Sequence, residues 1–399
     1  MSGGRVKSVV LIVDGAAGWP VDELGGRTSM EAAHTPHLDA IAAAGTVGLL
    51  HTVPEGMEPS SAIACMSVLG YDPARYYGGR GPIEAMALGI ELEPRQAALR
   101  CNLITVDDGA MRSYAAGHIP SEEAHALIAA VQAAIGDSRV TFHAGVGFRN
   151  IATIREGCDV AETRCTGAHD IPGQPVAQHL PVGPGADLLC DLMERSKVVL
   201  ADHPVNLARA ARGDLPATQI WLFWPGLQPV PLPRFQDEFG YRAAVTTAVD
   251  LLRGLARQAG IDILEIPGVT DGGDNDYAGQ MRAALAALAD YEVVVVHVEA
   301  PDEAGHSGDA RGKVEAIEQV DAQMVVQIVG LGDEVRLMVL PDHPTPLAIQ
   351  THAAEPVPFA LWGTGFSPNG ATSFSEASAA GTGLVVSAGY ELMKCFLGS

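Results

Sequence analysis

Residues 291–309 read YEVVVVHVEAPDEAGHSGD: a run of valines that leads at once into acid and imidazole side chains. An unbroken Val-rich run of this length predicts a strand covered on both faces, which is the habit of parallel sheets in α/β proteins. The same pattern occurs twice more. Ser8–Val13 (SVVLIV) runs into Asp14-Gly15, and Val335–Leu340 (VRLMVL) runs into Pro341-Asp342-His343. Between these strands lie helical patterns at Thr35–Ala44, Arg242–Ala259, Gln280–Ala289 and Lys313–Leu331. The alternation predicts a doubly wound, mostly parallel sheet whose ligands sit beyond the carboxyl ends of its strands. Polar residues that follow three such strands are therefore candidates for one shared site.

Working outward, the chain has 399 residues, 47% of them hydrophobic, with 45 Gly and 26 Pro. That length suits two or three domains at roughly 100–200 residues each. From about residue 96 to 235 the pattern changes to shorter, alternating segments with many Pro, Gly and Asp, such as Arg139–Thr153. This stretch reads as an inserted, smaller α+β cap, with core at 1–95 and 236–399. The formal charge of −23 excludes general attraction to a phosphate backbone, so nucleic acid is not an expected partner. The apolar run Val9–Val13 is too short for a signal-peptide core or a membrane span. Six cysteines are scattered without a C-x-x-C pair and read as reduced thiols. The expectation is a cytoplasmic protein without a membrane partner; oligomeric state is left open.

The strand-end residues Asp14, Asp302, His306, Asp342, His343 and His352 form a carboxylate–imidazole set suited to Mn²⁺, Zn²⁺ or a related divalent ion. Asp302 and His306 are four apart and share a face if their segment turns helically. Taken singly, each residue also fits a helix cap, a turn or a surface histidine; it is their common placement after apolar strands that favours a site. A nucleophile candidate lies in Gly56-Met57-Glu58-Pro59-Ser60-Ser61-Ala62, ahead of a helical pattern that begins near Ala62. Ser60 or Ser61 fits an N-cap. Equally, a serine at a helix start sits where N–H groups and the helix dipole favour a phosphate. Nucleotide-binding loops are absent: Gly308–Val314 lacks the spacing and hydroxyl of a Walker A loop, Gly79-Arg80-Gly81 does not continue as G-x-G-x-x-G, and no G-x-S-x-G elbow surrounds Ser61.

Six segments together resemble the archaeal-type cofactor-independent phosphoglycerate mutases of the alkaline phosphatase superfamily. They are VVLIVDGAAG (9–18), GGRTSMEAAHTPHLDAIAAAG (25–45), SSAIACMSVLGYDP (60–73), YYGGRGPIEA (76–85), HVEAPDEAGHSGD (297–309) and LPDHPTPLAIQTHAAEPVP (340–358). The resemblance covers nearly the whole chain and implies an alkaline-phosphatase-like core with an inserted cap. It also implies two divalent ions, Mn²⁺ first, with Zn²⁺, Mg²⁺ or Co²⁺ as alternatives. Asp14, Ser61, Asp342 and His343 would surround one ion, and Asp302, His306 and His352 the other. Ser61 would carry the phosphoryl group between the hydroxyls of 2- and 3-phosphoglycerate, without 2,3-bisphosphoglycerate, while the cap closes over the site. Arg80, Arg100 and Arg149 fall in matching segments and are the candidates for binding this small phosphorylated metabolite, since the planar guanidinium suits phosphate and carboxylate.

The chain also departs from that pattern. Ser61-Ala62-Ile63-Ala64-Cys65 stands where the family typically has Ser-Asp-Thr-Ala-His, and Phe223-Trp224-Pro225-Gly226 replaces a usual Arg-Gly-x-Gly. Ser113–Ile119 is altered too; with Ala168–Gly173, it looks more like a bacterial side branch labelled proposed homoserine kinase. Two alternatives to the mutase follow: a kinase-like phosphotransferase acting on homoserine or another small hydroxy acid, and an inactive binder of a phosphorylated metabolite.

Overall fold

The computed structural model describes residues 6–228 and 230–398. The chain forms two compact units, one made of residues up to Tyr77 and from Pro231 onward, the other Gly78–Val230. Among the described residues no helix is long and apolar enough to cross a membrane.

The first unit is built on β1 (Lys7–Val13), β2 (Thr46–Leu50), β8 (Ala243–Thr246), β9 (Asp262–Ile263), β10 (Val293–Val298), β11 (Val335–Leu340), β12 (Val357–Trp362) and β13 (Val385–Val386). They form one sheet in the order β13-β2-β12-β11-β1-β10-β8-β9. Five of its seven pairings are parallel; only β12 runs against its neighbours β11 and β2. The expected doubly wound, mostly parallel core is therefore present. Its valine runs behave as their composition requires: every residue of β10 is buried, so both faces are covered.

Register explains how the strand ends meet. Central β1 pairs β10 on one side and β11 on the other, both parallel, with Ile12 opposite His297 and Leu340. The residues just past all three strands thus emerge side by side. One expected element differs. Arg242–Ala259 is not a single helix: Ala243–Thr246 forms β8 against β10, and the helix follows at Asp250–Gln258. A four-residue apolar run has no periodicity to separate strand from helix, and pairing with the buried edge of β10 decides it.

The second unit carries β3 (Ala97–Asp107), β4 (Ala110–Ser113), β5 (Val140–Val146), β6 (Arg149–Ile154) and β7 (Gln219–Leu227). All their pairings are antiparallel, with β3 lying between β6 and β7. Helices Ser121–Ile135 and Ala186–Ala201 pack on this sheet. They bury Leu127, Val131, Leu189 and Leu192 against Leu99, Leu103, Phe142 and Trp221. The unit is α+β in character.

Candidate metal centre and active site

Asp14 follows β1 and is wholly buried; its Oδ2 accepts a hydrogen bond from His297 Nε2 at 2.8 Å. Its Oδ1 has no hydrogen-bond partner and lies 3.5 Å from His343 Nε2. Burial first, then the charges of Asp342 and Asp302, push the Asp14 carboxyl well above its ordinary range. Gly15 makes this turn possible: its φ is +61°, and a Cβ there would stand 2.4 Å from Asp302 Oδ1. Asp342 Oδ1 accepts the N–H groups of Gly15 at 3.2 Å and His343 at 2.8 Å, while Cys65 Sγ donates to Oδ2 at 3.5 Å. Burial opposes charge on Asp342, but His343 holds its carboxyl below the usual range.

The segment after β10 is a short helix, Ala300–Ser307, with Pro301 in its first turn, acids at 302 and 303, and Gly308 in the left-handed conformation ending it. Each of these is a local helix signal. The helical turn brings Asp302 Oδ2 to 3.1 Å from His306 Nε2. His352 Nε2 lies 3.0 Å from His306 Nε2 and 3.8 Å from Asp302 Oδ1. His306 Nδ1 donates to the Gln350 carbonyl at 3.0 Å. With a proton on each ring nitrogen, His306 also donates from Nε2 to Asp302 Oδ2. The Asp302 bond pushes His306 up to about 9, and His306 and His352 hold Asp302 well below its usual range despite burial.

Ser61 is the first residue of helix Ser61–Val68, and Ser60 occupies the N-cap position without a side-chain cap bond. Ser61 Oγ lies 3.1 Å from His343 Nε2, so the serine faces the acids and imidazoles instead of capping its helix. The structure thus gathers Asp14, Ser61, Asp302, His306, Asp342, His343 and His352.

These donors fit divalent cations. Three sets have ligand atoms within 4.8 Å of one another: Asp302, His343 and His352; Asp14, Asp342 and His343; and Asp14, His297 and Glu299. The buried oxygens Asp14 Oδ1 and Glu299 Oε2 lack hydrogen-bond partners, a costly state that a cation relieves. No thiolate is required, and the O/N mix is that of Mn²⁺ or Zn²⁺ sites. His297 and Glu299 escaped the sequence reading, since one is hidden inside the valine run and the other ends it. A histidine in an otherwise apolar, doubly covered strand was the available signal.

Arg80 and Arg100 lie together in the second unit. Arg80 Nε donates to Glu84 Oε1 at 3.0 Å, and Arg100 donates to Glu84 Oε2 and, at 3.1 Å, to Asn102. The Arg80 guanidinium stacks 3.6 Å from the Trp224 ring, and Trp224 holds a left-handed φ of +52°. Arg149 opens β6 opposite Asn102, exposed, with its guanidinium 5.6 Å from the Phe148 ring.

A family model of 2,3-bisphosphoglycerate-independent phosphoglycerate mutase matches residues 42–206. A 2,3-bisphosphoglycerate-independent phosphoglycerate mutase of Methanothrix thermoacetophila is 45% identical over 98% of this chain and 100% of its own. Among solved structures, a Pyrococcus horikoshii protein superposes with a TM-score of 0.82 at 25% identity, covering 99% of this chain and 98% of that one. The cofactor-independent phosphoglycerate mutase of Thermoplasma acidophilum gives 0.66 at 25% identity, covering 99% of each chain. A mostly parallel sheet with carboxylates, imidazoles and a serine at its strand ends defines a class, the metal-dependent phosphotransferases. Within that class the chain belongs to the family of 2,3-bisphosphoglycerate-independent phosphoglycerate mutases.

Proposed function

We propose that the protein interconverts 2- and 3-phosphoglycerate through a phosphoserine at Ser61, without 2,3-bisphosphoglycerate. The observation that carries this reading is Ser61 Oγ at a helix start, 3.1 Å from His343 in the centre of the acid–imidazole set. Ser61 Oγ gives up its proton and bonds to phosphorus as the bond from phosphorus to the substrate oxygen breaks and that oxygen takes up a proton. The other glycerate hydroxyl then loses its proton as it takes the phosphoryl group back, and the serine hydroxyl is restored. First-turn N–H groups of helix Ser61–Val68 favour the phosphate oxygens. His297 holds Asp14 Oδ2, and His343 and Gly15 hold Asp342 through their N–H groups, so the carboxylates are oriented before substrate arrives.

Two divalent ions, Mn²⁺ first, are assigned to Asp14, Ser61, Asp342 and His343 and to Asp302, His306 and His352. When bound, such ions lower the pKa of a coordinated hydroxyl and neutralise phosphoryl charge. Arg80, Arg100 and Arg149 are assigned to the anionic groups of the substrate on the chemistry of the guanidinium. A second reading, ATP-dependent phosphorylation of homoserine or a similar hydroxy acid, is favoured by Cys65 and by Trp224 in the place of family-typical residues. Purified protein loaded with Mn²⁺ separates the two: turnover of phosphoglycerate without ATP supports the mutase, and phosphohomoserine formed only with ATP supports the kinase.

A further inference from the structure

The segment after β11 is fastened to the segment after β1 by bonds that the proposed chemistry does not itself use. Thr345 N donates to the Ala17 carbonyl at 3.0 Å, and Pro344 bridges to Ala16 and Ala17. Lys313 is fully buried, and its Nζ donates to the carbonyls of Thr345 at 2.7 Å and Ala17 at 3.1 Å. Among the described residues no carboxylate pairs with it, so a buried ammonium is devoted to two main-chain oxygens. Burying such a charge is costly unless it is hydrogen-bonded, and these two carbonyls supply the bonds. Gly305 is where the Asp302 helix meets this anchor: a Cβ there would lie 2.8 Å from Thr345 Cγ2.

The Thr345 side chain, also wholly buried, touches both halves of the acid–imidazole set. Its Oγ1 bonds Asp302 Oδ1 and lies 3.2 Å from His343 Nδ1. A hydroxyl has one proton. Ionised Asp302 only accepts, so the Thr345 proton goes to Asp302 and Oγ1 must accept from His343. Nδ1 of His343 therefore carries its proton. Nε2 keeps its lone pair, aimed where Ser61 Oγ, Asp14 Oδ1 and Asp342 Oδ2 stand at 3.1, 3.5 and 3.4 Å.

We propose that Thr345, anchored by Lys313, is the positioning residue that joins the two metal-ligand sets: one hydroxyl orients Asp302 in one and fixes the tautomer of His343 in the other. The inference rests on the proposed metal reading and adds to it a coupling between the sets. Partners of this kind, bonded behind a ligand, are worth about 10–100-fold in metal affinity.

The test uses the full chain, Mn²⁺ alone as titrant, Co²⁺ as a spectroscopic probe, and circular dichroism to verify folding. Thr345→Val and Thr345→Ala should each weaken Mn²⁺ at both sets by about 10–100-fold and change the visible Co²⁺ spectrum. Thr345→Ser, which keeps the hydroxyl, should restore both. His306→Ala serves as the control that weakens only its own set. The alanine variant removes bulk without adding any, so it carries the test should the valine variant not fold. Wild-type Mn²⁺ affinity in the alanine or valine variant, loss at one set only, or a serine variant as weak as alanine would overturn the coupling while leaving the metal reading intact. No Mn²⁺ binding by the wild type would overturn the metal reading and the inference with it.

Discussion

At the scale of single residues, environment sets what each group does. Ser61 lies past the cap position, and its hydroxyl faces His343. Ser61→Ala should abolish phosphoryl transfer and the acid-stable phosphoserine. The stability cost should stay below the roughly 0.5–2 kcal/mol of a lost cap, as a thermal melt beside the activity assay would show. His306 gives a pH prediction whose sign is fixed by its shift. Its folded pKa is raised to about 9, chiefly by the Asp302 bond. The fold thus favours the protonated ring: this stabilisation is complete below about 6.5, the ordinary histidine value, and is lost as pH rises through about 9. In chelator, the melting advantage of the wild type over His306→Gln should therefore shrink between these limits; an advantage that grows with pH would contradict the assignment. Asp14, Asp342 and His343 were legible in the sequence because each stands directly after an apolar strand. Thr345 and Lys313 were not, since a threonine between prolines and a lysine on a helix look ordinary until folding brings them together.

At the scale of elements, the strands were readable where composition left no choice. The valine run of β10 leaves no half-exposed position, and β1 and β11 leave one each, at Lys7 and Arg336, so a parallel interior sheet was the solution open to them. β8 was missed because its four residues adjoin a true helical pattern and carry no period of their own. The pairing of Arg80 and Arg100 through Glu84 was hidden as well, since it depends on packing of helix Arg80–Ala87 against β3. The turn after β1 yields the sharpest element-level test. Gly15→Ala imposes a left-handed backbone on a residue with a side chain, at about 1–2 kcal/mol, and drives its Cβ into Asp302. The variant should melt lower than wild type and bind Mn²⁺ more weakly. Unchanged Mn²⁺ affinity would show that the turn does not hold the two carboxylates together.

At the scale of the whole molecule, the fold concentrates its electrostatic cost at one end of one sheet. Asp14, Glu299, Asp302 and Asp342 are gathered in a chain that already has a net charge of −23. Cations that bind there should stabilise the folded state by mass action, about 2.7 kcal/mol for each site at a free concentration 100 times its Kd. Melting temperature should therefore rise with Mn²⁺ and fall with chelator, and the rise should be lost in His352→Ala together with Asp342→Asn. An equal shift in that double variant would place the stabilising ions elsewhere.

The central claim is tested most directly by one assay. Purified wild-type protein, stripped and reloaded with Mn²⁺, is given 3-phosphoglycerate with neither ATP nor 2,3-bisphosphoglycerate, and the product is followed by ³¹P NMR while the protein is sampled for phosphoserine. The expected result is approach to the same 2-/3-phosphoglycerate ratio from either side, with phosphate trapped on Ser61. No interconversion in metal-loaded protein, alongside ATP-dependent formation of phosphohomoserine, would contradict the mutase reading.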